Sequence, residues 1–219
     1  YKQVEQRQYR FRFLNGSQSR TLILKLSDGS PFWQIGSDGG YLPQQVMLDE
    51  LLLGPAERAD VLIDFSAIPA GTSIILENIG PDGPYQGGIP GIDFDPADPD
   101  TTGKVMEFRV IAAAGTDPST PASDLTMPTV TPLGSEDNIR QVSLNEEESE
   151  SPATPGIAPK AAKLGILDGM GMPVALAWMD PVTEVVSPGD TEIWEIYNAT
   201  MDAHPIHLHL VTFEVIERQ

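Results

Sequence analysis

Apolar and polar residues alternate along most of this chain with a period of two, in short runs separated by turn-forming clusters. Tyr9, Phe11 and Phe13 alternate with Arg10 and Arg12, which predicts a half-buried strand. Asn15-Gly16-Ser17 ends it. Leu22, Leu24 and Leu26 repeat the pattern as far as Ser27-Asp28-Gly29. Further strands are expected at Phe32 to Ile35, Val46 to Leu53, Ala59 to Phe65, Ser73 to Glu77 and Lys104 to Ile111. Val61, Ile63 and Phe65 make one apolar face of Ala59 to Phe65, and Leu62 marks a second apolar side. A later group is expected at Ile139 to Leu144, Ala175 to Trp178, Glu184 to Val186, Thr191 to Tyr197 and Leu208 to Ile216. Strands about ten residues apart with turn chemistry between them predict an all-β fold. The architecture expected is a pair of Greek-key β-sandwiches with almost no helix.

Two stretches interrupt the pattern. Residues 80–103 are rich in Pro, Gly and Asp and read as a long loop. Its Asp93, Asp95, Asp98 and Asp100 offer oxygen donors of the kind calcium takes, without the glycine and terminal glutamate of an EF-hand. Residues 112–135, rich in Pro, Thr and Ser, read as an interdomain linker. The expected division is residues 1–113, a linker 114–137, and residues 138–219.

Composition narrows the function. The formal net charge of -19 argues against nucleic acid and anionic membrane surfaces, which both select basic faces. No apolar run is long enough to cross a membrane as a helix. Cysteine is absent, so there is no disulfide, no thiolate ligand and no cysteine nucleophile. Glu146, Glu147, Glu148 and Glu150, followed by Ser151-Pro152-Ala153-Thr154-Pro155-Gly156, read as a solvated loop. Met170, Met172 and Met179 supply soft donors, but at spacings better suited to core or loop packing. No phosphate-binding loop, dinucleotide fingerprint, nucleophile elbow or HExxH helix is present.

The concentrated chemistry lies near the end. All three histidines fall in the run His204-Pro205-Ile206-His207-Leu208-His209. Imidazole is the commonest metal-ligating side chain, and the crowding suggests copper, zinc or non-haem iron. If the run is a strand, His207 and His209 point to one face and His204 to the other. Alternate side chains are ~6–7 Å apart at their bases, which suits two neighbouring ions better than one. The plainer reading is that these are ordinary half-buried strand residues.

These motifs resemble a known family. His204-Pro-Ile-His207-Leu-His209-Leu resembles the first histidine motif in the last cupredoxin domain of multicopper oxidases. Three stretches resemble the middle domain of the same family: Arg10 to Arg20, Ile35 to Gly40, and Gly54-Pro-Ala-Glu57-Arg58-Ala-Asp60-Val-Leu-Ile-Asp64-Phe. Glu192-Ile-Trp194 fits as well. The nearest subgroup is the bacterial spore-coat laccases, with bilirubin oxidase and phenoxazinone synthase as relatives.

The resemblance implies roles: His204 as a type 1 copper ligand, His207 as a type 2 ligand and His209 as a type 3 ligand. It implies a parent enzyme that oxidises phenolic or other aromatic substrates by one-electron steps and reduces dioxygen to water. It implies a secreted, periplasmic or spore-coat location. The family's other histidine motifs are absent, and a blue type 1 site needs a cysteine thiolate. The chain is therefore expected to be a segment. It would hold most of the middle domain without its opening strands, and the first part of the last domain. Its partners would be the remaining segments of the oxidase or a strand-exchanging second copy, with apolar patches exposed near Tyr9–Phe13 and the histidine run. A non-enzymatic copper-binding or scaffold fragment is the alternative.

Overall fold

The computed structural model describes residues 1–148 and 159–219. They form thirteen strands and one 3-10 turn. The strands are β1 (Lys2–Glu5), β2 (Gln8–Leu14), β3 (Leu22–Leu26), β4 (Phe32–Ser37), β5 (Gly40–Leu48), β6 (Leu51–Leu53), β7 (Arg58–Asp64), β8 (Ser73–Asn78), β9 (Lys104–Ile111), β10 (Asn138–Glu148), β11 (Pro159–Leu167), β12 (Pro173–Ala175) and β13 (Glu192–Asn198). Two compact units result: residues 1–131 with 204–219, and residues 132–203.

The first unit is a sandwich of two sheets, ordered β1-β9-β8-β3-β6 and β2-β7-β4-β5. Period-two patterning puts one face of each strand inside. Val4, Leu24, Leu26, Leu51, Leu53, Ile74, Leu76, Phe108 and Val110 come from the first sheet. They meet Phe32, Ala59, Val61 and Ile63 from the second, with Phe65 just beyond β7. Tyr9, Phe11 and Phe13 pack on this core from β2 while Arg10, Arg12 and Leu14 face outward. The ring of Phe108 lies 5.3 Å from both Phe11 and Phe65. Tyr9–Phe13 is thus a core-facing strand and not the exposed patch expected there.

Three details differ from the sequence-based expectation. Val46 to Leu53 is two strands, because the chain changes sheets at the corner Asp49-Glu50. β5 pairs with β4, and β6 pairs with β3, so Leu51 and Leu53 reach the core from the opposite side. β1 carries a single buried apolar residue, Val4, too little for a period to show. It is held by parallel pairing with β9. The third is the supposed linker. Its Ala122–Asp124 turn brings Ala122, Leu125 and Met127 onto Trp33, Ile35 and Leu62, the outer face of the second sheet. That is the partner of the second apolar side seen at Leu62. The Gln8 backbone N–H donates to Asp117 Oδ2 (2.9 Å), Gln8 Nε2 to the Thr120 carbonyl (3.1 Å) and Gln45 Nε2 to the Ser123 carbonyl (2.9 Å).

The second unit is one sheet, ordered β12-β11-β10-β13. β10 and β13 run parallel from Asn138↔Glu192 to Leu144↔Asn198. Arg140 forms a two-pronged ion pair with Glu192, Nε–Oε2 2.9 Å and Nη2–Oε1 2.7 Å, and Trp194 Nε1 donates to Glu192 Oε2 at 2.8 Å. The Arg140 guanidinium, followed by the Trp194 and Asn138 hydrogen bonds, holds the Glu192 carboxyl at about 2, below its ordinary range. Ser143 is fully buried, whereas Ile139, Leu164, Val174, Ile196 and Tyr197 stay exposed.

β11 was not anticipated. The strand expected at Ala175 to Trp178 sits earlier, at Pro173–Ala175, and Glu184 to Val186 forms no strand. The acidic cluster is not a loop throughout. Glu146 and Glu147 lie in β10, and Glu147 pairs with Lys163 of β11. Glu150 and Ser151 to Gly156 lie outside the described residues.

Candidate metal centre

The site is built on a turn. Gly54 to Glu57 closes with the Glu57 N–H donating to the Gly54 carbonyl (3.1 Å), Pro55 in the second position and Ala56 in the third at φ 62°. Proline there presets φ, and the third position of this turn type needs a positive φ. The Gly54 N–H donates to Glu57 Oε2 at 2.6 Å.

Asn15, only 2% exposed, anchors the turn. Its Nδ2 donates to the Arg20 carbonyl (2.8 Å) and the Leu53 carbonyl (2.9 Å). Its Oδ1 accepts from the Ser17 backbone N–H (3.1 Å) and from Ser17 Oγ (2.6 Å). Ser17 Oγ also lies 2.7 Å from the Arg20 carbonyl, so its single hydrogen is shared between that oxygen and Asn15 Oδ1, while both amide donors of Asn15 are used. Asn15 N–H donates to the Glu57 carbonyl at 3.1 Å, and Ala56 N–H to the Asn15 carbonyl at 2.9 Å. Arg58 pairs with Asp38 at 2.9 Å, and Arg10 Nε donates to Asp60 Oδ1 at 2.8 Å. The three stretches 10–20, 35–40 and 54–65 therefore form one connected surface.

Residues 204–219 rest on that surface. The expected strand Leu208–Ile216 is not formed. A strand requires a ladder partner, and among the described residues nothing pairs with this segment. Leu210 adopts φ 69°, which breaks an extended course. Without a ladder the alternation that would send His207 and His209 to one face is not imposed. His207 Nε2 lies 3.0 Å from the Pro55 carbonyl oxygen, which can only accept, so that nitrogen carries the hydrogen. Pro205 stands beside Gly54, where an added Cβ would come within 3.3 Å of it, and Thr212 stands beside Gly39. Leu210, Val211, Phe213, Val215 and Ile216 are exposed, so the apolar patch expected near the histidines is present.

His204 is half-buried, and His207 and His209 are exposed. Among the described residues no three His, Asp or Glu side chains converge on a point that would hold a metal. The donor chemistry suits copper, since neutral imidazole is a standard copper ligand. Each ion would need further donors beyond this segment, and a blue centre would need a thiolate. Three aspartates of residues 80–103 accept backbone hydrogen bonds. Asp93 Oδ2 accepts from the Ile89 N–H (2.7 Å), Asp98 Oδ1 from the Asp100 N–H (2.8 Å) and Asp82 Oδ2 from the Asp98 N–H (3.3 Å). Met170, Met172 and Met179 are loop residues with exposed side chains, not core residues. Sequence reasoning missed Asn15 and the Pro55 carbonyl as supports of the site. Asn-Gly-Ser and Gly-Pro read only as turns.

Comparison with known proteins places these features. Residues 157–219 match the family described as multicopper oxidase. The whole chain aligns at 39% identity with 38% of a laccase from Bacillus subtilis (strain 168). It aligns at 36% identity with 35% of a bilirubin oxidase from Albifimbria verrucaria. Among solved structures, a laccase from Pediococcus acidilactici Pa5930 superposes on 91% of this chain and 35% of that one, with a TM-score of 0.60 and 25% identity. The chain thus spans under two-fifths of these two relatives.

Proposed function

We propose that this chain, whose residues 157–219 match the multicopper oxidase family and whose fold is all-β and cupredoxin-like, is a segment of a laccase-like oxidase that contributes three copper-binding imidazoles. The observation that carries this is the run His204-Pro-Ile-His207-Leu-His209 inside the matched residues 157–219. His204 serves a type 1 copper, His207 a type 2 copper and His209 a type 3 copper. In the parent the domains would divide as residues 1–113, a linker 114–137 and residues 138–219, whereas in this chain residues 122–127 and 204–219 group with the first unit. This chain's partners are the remaining segments of the same oxidase or a strand-exchanging second copy.

Copper, when bound, supplies one-electron oxidation of phenolic or other aromatic substrates and the reduction of dioxygen to water. The chain's own part is to present imidazole lone pairs. The Pro55 carbonyl holds the hydrogen of His207 at Nε2. An ion at Nδ1 keeps that hydrogen bond, and an ion at Nε2 requires it to break. The Asn15-anchored turn fixes the carbonyl, and hence which ring nitrogen of His207 is left free.

The test uses the longest polypeptide that contains this sequence. Copper per molecule and oxidation of a phenolic dye are measured for it and for His204→Ala, His207→Ala and His209→Ala. Loss of copper with loss of dye oxidation in all three variants is expected. Full copper content and activity in all three would refute the assignment. Copper binding without any dye oxidation in the parent would favour the scaffold alternative. The 219-residue chain alone is expected to give no intense blue colour with added copper, since it lacks cysteine.

A further inference from the structure

Five asparagines occur in the chain, and Asn15 is the one followed by glycine. Asparagine is among the thermolabile residues, because the next backbone nitrogen can attack its side-chain carbonyl carbon. Glycine leaves that approach unhindered. Gly16 is exposed, and nothing lies within 4 Å of where a Cβ would stand. The same asparagine is the buried, four-fold hydrogen-bonded anchor of the Gly54–Glu57 turn. A chemically labile pair thus coincides with a buried, multiply hydrogen-bonded anchor of the first unit.

We propose that Asn15-Gly16 is a conformationally gated deamidation site, which turns transient opening of residues 14–20 into irreversible loss of the turn facing His207. In the reaction the Gly16 nitrogen bonds to Asn15 Cγ and a succinimide ring closes. Nδ2 departs as ammonia, taking the proton from the Gly16 nitrogen. Water then opens the ring to aspartate or isoaspartate.

The folded state opposes each part of this. Oδ1 is committed to Ser17 and the departing Nδ2 to Arg20 and Leu53, so Cγ is not free to swing onto the Gly16 nitrogen. Reaction therefore passes through open molecules and tracks their population. The product does not refit. A carboxylate has no donors, so the Arg20 and Leu53 carbonyls would face a negative charge in a buried site, which is strongly unfavourable. The modification would trap openings that otherwise reverse. This inference rests on the first unit alone and stands whether or not the oxidase assignment holds.

The chain and its Gly16→Ala variant are incubated in mildly alkaline buffer, in sub-denaturing urea and fully unfolded. Deamidation is mapped by peptide mass spectrometry. The folded chain is expected to react at Asn15 at least about tenfold more slowly than the unfolded chain, with the rate climbing in urea below the global midpoint. Gly16→Ala is expected to suppress the reaction even when unfolded. Deamidated molecules, separated from the unmodified ones, should unfold at lower urea. Asn15→Asp should do the same, or fail to fold. Equal rates in the folded and unfolded chain would overturn the gating. A deamidated fraction with the unmodified midpoint would overturn the trap.

Discussion

Replacing Phe108 by Ala should cost the first unit about 3–5 kcal/mol, the range for truncating a large ring in a core that collapses only partly. The ring is fully buried and sits 5.3 Å from both Phe11 and Phe65. An aromatic side chain buries ~150–250 Å², and each ring pair adds roughly 0.5–1.5 kcal/mol beyond area. The upper half of the range is therefore expected. Leu14→Ala is the control. Leu14 occupies the outward side of β2 and is 63% exposed, so its truncation should stay within about 0.5 kcal/mol. Trp33 lies in the first unit, and the other two tryptophans, Trp178 and Trp194, lie in the second. In a Trp178→Phe, Trp194→Phe background, urea unfolding followed by indole fluorescence thus reports the first unit. With a slope of ~2 kcal/mol per molar urea, Phe108→Ala should lower the midpoint by roughly 2 M and Leu14→Ala by under about 0.3 M. Equal shifts for the two would refute the inward-outward assignment. A shift below about 0.7 M for Phe108→Ala would show that the two sheets do not close over one core.

Three further outcomes are expected. Ala56→Gly should stabilise the first unit by about 0.5–1 kcal/mol, because φ 62° is a glycine conformation; a lower midpoint in the same urea assay would contradict it. Gly36→Ala should destabilise by about 1–3 kcal/mol, because its Cβ would meet the Gly40 carbonyl oxygen at 2.9 Å and Asp60 Cβ at 3.2 Å; unchanged thermal melting would count against that packing. The carboxyls of Glu107, beside Arg109, and Glu192, beside Arg140, are each lowered from 4.5 to about 2. Depressed carboxylates stabilise above their unfolded value, so melting temperature should fall as pH drops from about 4.5 towards 2. Glu192→Gln should flatten the second unit's share of that fall.

Legibility differed between the two units for a physical reason. In the first unit each strand packs one face on a core, so period-two patterns at Tyr9–Phe13, Leu22–Leu26 and Ser73–Glu77 match real strands closely. The failures there are corners and caps. Asp49-Glu50 moves the chain between sheets, and Ala122, Leu125 and Met127 cover an outer face from a segment that composition reads as a linker. In the second unit a single sheet buries little, so alternation carries less information. β11 does not stand out in the pattern, and Glu146 and Glu147 read as loop by composition although a β10–β11 ladder holds them.

The histidine run shows the limit most clearly. Its chemistry was legible because three imidazoles in six residues is a statement about donors, which needs no fold. Its geometry was not, because side-chain alternation follows from a hydrogen-bonded ladder and not from residue order. Here the ladder is missing. The segment is held instead by a proline against Gly54, a threonine against Gly39 and one ring nitrogen at the Pro55 carbonyl. Those contacts all fall on the stretches 35–40 and 54–57, whose sequences resemble a different domain of the family from the histidine run. Their glycines make room for the segment, and their turn supplies the acceptor. The same stretches thus determine where the histidine run can lie, and Asn15, through its hydrogen bonds to Ser17, Arg20 and Leu53, keeps them in place.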